Sequence, residues 1–233
     1  MTARQGSPTA LIVGASRTIG LELVRELYHR GWQVIGTVRG SARTALHDLA
    51  DASEGAVTVD VLDMTDDGQL SELRCRLGGR RLDLVFVNGA ITNGDEPVGD
   101  VSRATFVEVL VTNALAPMRV VEAFHDLVPD TGTLGVMSSS QGSVSLNTNG
   151  GHEVYRASKS ALNQLMRSFA ARHTDSPRTL LLVNPGWVQT ELGGDGAVLT
   201  LQQSAPGVVD TILAHQGEGG LHFVDYRNQV VAW

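Results

Sequence analysis

The chain has little cysteine, few aromatic side chains and no excess of positive charge, and each shortage removes a class of protein. A single cysteine, Cys75, among 233 residues forbids an intramolecular disulfide and points to a reducing compartment. Aromatic residues make up only 5%, and 18 Lys and Arg against 25 Asp and Glu leave a formal net charge of −7. No basic block offsets that acidity, so binding to nucleic acid or to an anionic membrane is not expected. No apolar run approaches the roughly 20 residues of a membrane span. The first run is interrupted at Gly14, unlike the core of a signal peptide. Repeats, low-complexity tracts and linkers are absent, so residues 1–233 are expected to form one domain. Together these absences predict a soluble, cytoplasmic protein.

What is present is an alternation of short apolar runs and helical patterns, with 26 glycines supplying turns. The runs at 9–13, 33–39, 56–62, 82–87, 134–137, 179–183 and 221–225 read as strands. Helical patterns lie between them: from Thr18 to a stop at Gly31, over 41–52, 70–77, 106–121 and 155–172, and near 207–214. Strands alternating with helices predict an α/β fold, a Rossmann-type doubly wound parallel seven-stranded sheet with helices on both faces. A ligand crevice then lies at the strand C-termini.

The first strand runs into Gly14-Ala15-Ser16-Arg17-Thr18-Ile19-Gly20. A glycine loop between strand and helix can set a pyrophosphate on the helix N-terminus, although a loop with only a structural job gives the same signal. Gly14 permits the sharp turn and Gly20 lets the helix pack closely on the strand. At the end of the second strand an acidic residue would bind the ribose 2′-hydroxyl of NAD. Between Tyr28 and His47 there is no Asp or Glu, and Arg39 stands at the strand end with Arg17 in the loop. Guanidinium groups match a phosphate, so NADP(H) is favoured over NAD(H), the alternative being two solvated surface arginines. After the third strand, Asp63 offers an acceptor for an adenine amino group, and Asp66 can equally cap the following helix.

Tyr155 and Lys159 are four residues apart, which on a helix stacks them about 5–6 Å apart on one face. An ammonium at that distance, at an effective dielectric near 20, favours a phenolate by about 3 kcal/mol. The expectation is a Tyr155 pKa brought down from about 10 toward neutrality, where acid–base catalysis is efficient. Asn113, among Val109, Leu110, Val111 and Leu115, needs a partner if buried, either a structural one or a water in a proton chain. Ser138-Ser139-Ser140 ends the fifth strand at the crevice edge. His152 and Glu153 read as loop residues, with a pocket-lining role as the alternative. The segment Glu191 to Gln203, with Gly193, Gly194 and Gly196, reads as a mobile cover over the site.

With these pieces in place, the sequence resembles the short-chain dehydrogenase/reductase family over nearly its whole length. The matching residues are Gly14-x-x-x-Thr18-x-Gly20, Asn88-Gly89-Ala90, Asn113, Ser139, Tyr155-x-x-x-Lys159 and Pro185-Gly186. The stretch 138–163 and Pro185-Gly186-Trp187-Val188-Gln189-Thr190 look most like the C-factor and sniffer-type carbonyl reductase branch. The resemblance implies an NADPH-dependent reductase of a small-molecule aldehyde or ketone, reversible as an alcohol dehydrogenase. In that scheme Tyr155 protonates the carbonyl oxygen and Lys159 lowers its pKa and holds the nicotinamide ribose. Ser139 bonds the oxyanion and Asn113 holds a proton-relay water. Gly14, Ser16, Arg17, Thr18, Ile19, Gly20, Asn88, Gly89, Ala90, Pro185 and Gly186 would border the cofactor. The Val188 backbone and Thr190 would hold the carboxamide, with Asp63 and Met64 at the adenine. No metal is implied, and family members are mostly homodimers or homotetramers. The alternative is a dinucleotide-binding, C-factor-like regulatory or signalling protein with little or no turnover. Two positions depart from the family pattern. Thr18 stands where the family has glycine, placing a Cβ near the pyrophosphate, and Asn88-Gly89-Ala90 inverts the usual Asn-Ala-Gly order.

Overall fold

The computed structural model describes residues 6–233. Each apolar run of the sequence becomes a strand: β1 (Thr9–Val13), β2 (Gln33–Val38), β3 (Val57–Val61), β4 (Leu84–Val87), β5 (Thr133–Met137), β6 (Thr179–Asn184) and β7 (Gly220–Asp225). They form one seven-stranded sheet in the order β3-β2-β1-β4-β5-β6-β7, with every neighbouring pair parallel. The order reverses between β1 and β4, so the chain leaves those two strands in opposite directions and a crevice opens at their C-terminal ends.

Because successive strand residues point to opposite faces, β1 feeds two cores. Ala10 and Ile12 meet α1 (Thr18–His29), α2 (Ala45–Ala52) and α7 (Leu201–Ala214) through Leu23, Leu27, Leu46 and Ile212. Leu11 and Val13 share the other core with Leu73 of α3 (Asp67–Arg76), Phe124 of α5 (Ala116–Phe124) and Leu162 of α6 (Glu153–Arg172). Burying each such side chain contributes about 1.5–3 kcal/mol, so both helical layers are held to the sheet by its alternation.

The helix expected over 41–52 starts at Ala45, behind an N-cap at Thr44, and two others depart further from the sequence expectation. The pattern over 106–121 is α4 (Arg103–Leu110), a π-helical turn at Val111–Leu115, and α5 in continuation. The whole helical run, 103–127, has 25 residues and is long and apolar enough to cross a membrane by length and composition, contrary to the expectation that no segment approaches that size. Here its Ala116, Val120, Val121 and Phe124 pack on the sheet, which accounts for that composition. The last helix starts at Leu201 rather than near 207, because a capping box of Thr200 and Gln203 opens it and Pro206 sits within it.

Candidate active site

A cleft of about 730 Å³ opens along the C-terminal edge of the sheet. It is bordered by every residue expected at the site except Gly20 and Asn113, which are buried behind its wall.

At one end lies the glycine loop. Gly14 turns with φ +83°, its N–H donates to Thr37 Oγ1 at 3.1 Å, and its carbonyl accepts from Asn88 Nδ2 at 3.0 Å. A Cβ on Gly20 would fall 2.1 Å from the Gly14 carbonyl oxygen, so only glycine lets α1 start this close to β1. Gly14 and Gly89 cross backbone to backbone: a Cβ on Gly14 would meet Gly89 N at 2.9 Å, and one on Gly89 would meet the Met64 methyl at 3.2 Å. The inverted Asn88-Gly89-Ala90 order therefore puts its glycine at the crossing of two loops.

Helix α1 begins without a side-chain cap, since Arg17 at the N-cap offers no acceptor, and its first turn holds no acidic residue. The first N–H groups of any helix lack intrahelical partners and carry partial positive charge. Thr18 and Ile19 bring that end to the cleft, a terminus fit for a phosphate. Thr18 itself adopts φ +49°. That left-handed conformation costs a β-branched residue about 1–2 kcal/mol, a strain beyond the crowding expected from its Cβ alone.

The two arginines are placed differently. Arg39 is exposed at the end of β2 and lines the cleft. Arg17 reaches across to Glu191, Nη1 to Oε2 2.7 Å, with side chains 68% and 75% exposed. Arg17, expected to face a phosphate, is thus paired with a carboxylate from the opposite rim, a pair worth at most about 1 kcal/mol in water. The segment after Glu191 is tied down more than its glycines suggested. Trp187 Nε1 donates to Gly193 O at 2.7 Å, and Gln189 N to Leu199 O at 2.8 Å. Thr190 Oγ1 accepts from Gly193 N at 3.1 Å and donates to Val188 O at 3.3 Å. Asp63 Oδ1 holds Thr65 through N and Oγ1, and Asp66 is the N-cap of α3, accepting from Gly68 N and Gln69 N.

At the other end α6 presents Tyr155 and Lys159 on one buried face. Ser139, on the turn after β5, lies on the Tyr155 side of the cleft and accepts from Gln141 N at 3.1 Å, whereas Ser138 is turned inward to donate to Asn163 Oδ1 at 2.6 Å. Lys159 Nζ donates to the Met137 carbonyl at 2.9 Å and lies 5.8 Å from the Tyr155 ring centroid. The separation matches the expectation from spacing; the electrostatic consequence does not. Burial pushes the Tyr155 phenol up to about 12, only partly offset by Ser139, and pushes Lys159 down to about 8. Removing both groups from water outweighs their attraction, because the ammonium is directed at a backbone carbonyl.

Asn113 sits in the π-helical turn, fully buried. Its side chain donates to Ile91 O at 2.8 Å and Ser158 Oγ at 3.0 Å and accepts from Ile91 N at 2.8 Å. Of the two partners foreseen for this amide, the side chain takes the structural one. Ser158 passes the link on, donating to the Tyr155 carbonyl at 2.7 Å. Sequence reasoning missed Ser158 and Thr37; a hydroxyl inside the Tyr155–Lys159 turn and another inside an otherwise apolar strand were the available signals. His152 borders the cleft from a left-handed backbone, φ +47°, whereas Glu153, expected in the loop, is the first residue of α6 and accepts from Val98 N at 3.0 Å.

The sequence matches the short chain dehydrogenase family over residues 8–196. The 1-hydroxy-2-glutathionyl-2-methyl-3-butene dehydrogenase of Rhodococcus sp. (strain AD45) is 32% identical over 211 residues, 88% of this chain and 90% of that protein. The C-signal of Myxococcus xanthus is 32% identical over 154 residues, 65% of this chain and 93% of that protein. A short-chain dehydrogenase/reductase from Burkholderia multivorans, solved with bound NADP, superposes with a TM-score of 0.96 at 49% identity, covering 97% of this chain and 100% of that one. A carbonyl reductase from Pseudomonas aeruginosa PAO1 in complex with NADP gives 0.89 at 36% identity, covering 98% and 100%.

Proposed function

The chain belongs to the short-chain dehydrogenase/reductase family of NAD(P)-dependent oxidoreductases, and on that premise we propose that it reduces an aldehyde or ketone at the expense of NADPH, with Tyr155 as the proton donor. The observation that carries this reading is Tyr155 bordering the cleft beside Ser139 and Lys159, with burial pushing its phenol up to about 12. A phenol that stays protonated at neutral pH is the form that reduction needs, because the developing alkoxide is far more basic than the phenolate.

NADPH, when bound, supplies the hydride to the carbonyl carbon. The uncapped start of α1 and the Gly14 turn hold the pyrophosphate, with Ser16, Thr18 and Ile19 around it. Arg39, with a share of Arg17, meets the 2′-phosphate and selects NADPH over NADH. Asp63 and Met64 border the adenine, Asn88, Gly89, Ala90, Pro185 and Gly186 wall the cofactor, and Val188 and Thr190 face its carboxamide. At the substrate, Ser139 donates to the carbonyl oxygen and Tyr155 passes its proton to that oxygen. Lys159 stabilises the phenolate left behind, and the phenol is restored from solvent. Asn113 acts as a positioning residue through Ser158 and the Tyr155 carbonyl.

The direct test is purified protein with NADPH and a panel of aldehydes and ketones, followed by loss of reduced-nicotinamide absorbance. Turnover of at least one member, with NADH a poorer donor, is expected. Saturable NADPH binding without turnover across the panel would instead favour a regulatory dinucleotide-binding role.

A further inference from the structure

Three side chains at the end of the sheet remote from the cleft converge without any part in it. His215 caps the C-terminus of α7, Glu218 lies in the following turn, and His222 is in edge strand β7. One ligand-type atom of each lies within 4.8 Å of the other two. His215 Nδ1 is 2.6 Å from Glu218 Oε2, and its Nε2 is 2.7 Å from Asn228 Oδ1. His222 Nε2 is 2.7 Å from the Gly219 carbonyl oxygen. The two imidazoles lie side by side, with centroids 4.5 Å apart and planes at 38°.

In metal-bound imidazoles one ring N–H is donated to an oxygen acceptor, which orients the ring and turns the other nitrogen to the ion. In His215 that other nitrogen, Nδ1, shares a proton with Glu218 Oε2, and a bound ion would take the place of that proton. Asn228 Oδ1 and the Gly219 carbonyl supply the outer acceptors, so Nδ1 of each histidine is the ligand atom. We propose that His215, Glu218 and His222 form a binding site for a divalent transition metal of the Zn²⁺ type, separate from the cleft. Two imidazoles and one carboxylate favour Zn²⁺, Ni²⁺ or Co²⁺ over the oxygen-seeking Mg²⁺ and Ca²⁺. Ligand bonds near 2.0–2.2 Å in a tetrahedron set ligand atoms about 3.3 Å apart. The Glu218–His215 contact opens from its 2.6 Å to reach that spacing, a movement the half-exposed Glu218 side chain (52%) allows. The ion would staple a turn whose Gly217, Gly219 and Gly220 all have positive φ, tying α7 to β7.

The test uses untagged full-length protein carrying Cys75→Ser, which removes the exposed thiol as a competing ligand. Calorimetric titration with Zn²⁺ should give one saturable equivalent, and Co²⁺ the absorption of a nitrogen-ligated tetrahedral site. At a hundredfold excess over Kd the melting temperature should rise by about 5–10 °C, reversibly with a chelator. Mg²⁺ should do neither. Glu218→Gln, a surface change that keeps the fold, should weaken Zn²⁺ at least about tenfold, and His222→Gln should abolish the stoichiometric event. Absence of saturable Zn²⁺ binding, or unchanged affinity in both variants, overturns the proposal. So does a loss of NADPH binding upon chelation, which would place the ion in the cleft.

Discussion

Lys159 Nζ donates to the Met137 carbonyl at 2.9 Å and stands 5.8 Å from the centre of the Tyr155 ring. The lysine is therefore anchored to the end of β5, and Ser139 on the turn that follows shares the cleft wall with the tyrosine. Burial shifts both toward their uncharged forms, the phenol up to about 12 and the ammonium down to about 8. Spacing along α6 brought the pair together; solvent exclusion decides which protons they hold.

The first consequence is a pH profile. In the free protein Lys159 loses its proton around pH 8, and with it the charge that stabilises the phenolate formed by proton transfer. Since kcat/KM reports ionisations of the free enzyme, its value for NADPH should be level below about pH 8 and fall nearly tenfold per unit above it. A level profile to pH 10 would contradict this.

The same shift makes Lys159 costly to the fold. Its folded pKa, about 8, lies below the ordinary 10.5. The penalty of the buried charge is therefore full below pH 8 and disappears as pH rises toward 10.5. Lys159→Met keeps most of the volume and should stabilise the free protein by about 1–3 kcal/mol at pH 7, after allowing for the lost hydrogen bond. The gain should shrink between pH 8 and 10; Tyr155, shifted the opposite way, matters only above about pH 10. Denaturant unfolding at pH 7 and pH 9.5 checks it. A loss of stability at pH 7 would show that packing, not charge, dominates the site.

Thr18 occupies a left-handed conformation, φ +49°, at the first position of α1. Thr18→Gly relieves about 1–2 kcal/mol of strain and loses up to about 1 kcal/mol to the freer unfolded chain. A net gain of about 0.5–1 kcal/mol is expected, with tighter NADPH binding as the Cβ leaves the phosphate site. Destabilisation by thermal melting would contradict the strain argument.

Cofactor choice rests on the two arginines. Arg39→Asp should weaken NADPH at least tenfold while changing NADH affinity little, by nicotinamide fluorescence titration. Glu191→Gln releases Arg17 from its 2.7 Å ion pair and should tighten NADPH by no more than about fivefold, the worth of an exposed pair. Equal effects of Arg39→Asp on both cofactors would remove the 2′-phosphate role.

Much of this was legible in the sequence, for identifiable reasons. The five inner strands were, because a strand buried on both faces is apolar nearly throughout and Gly14, Gly89 and Pro185 mark where three of them stop; the edge strands β3 and β7, partly exposed, were legible from their remaining apolar residues. The residues around the cleft were legible by type, since a glycine loop, a serine at a strand end and a Tyr-x-x-x-Lys turn each carry their own chemistry. Three things were not. The π-turn at Asn113 was hidden because side-chain periodicity does not report which carbonyl an N–H reaches. The start of α7 was hidden because Pro206-Gly207 reads as a break, whereas Gly207 meets the Tyr226 carbonyl so closely that a Cβ would lie 2.4 Å from it. The direction of the Tyr155 shift was hidden because spacing fixes a distance, while the balance between attraction and desolvation depends on what else surrounds the pair, here a backbone carbonyl from β5.

The most direct test of the account is Tyr155→Phe, which keeps the ring and removes only the transferable proton. NADPH affinity by fluorescence titration should stay within about twofold of the parent, and kcat/KM for carbonyl reduction should fall by about 10²–10⁴-fold, the usual worth of a positioned proton donor. A variant that binds NADPH normally and still reduces the carbonyl within threefold of the parent rate would contradict the assignment of Tyr155.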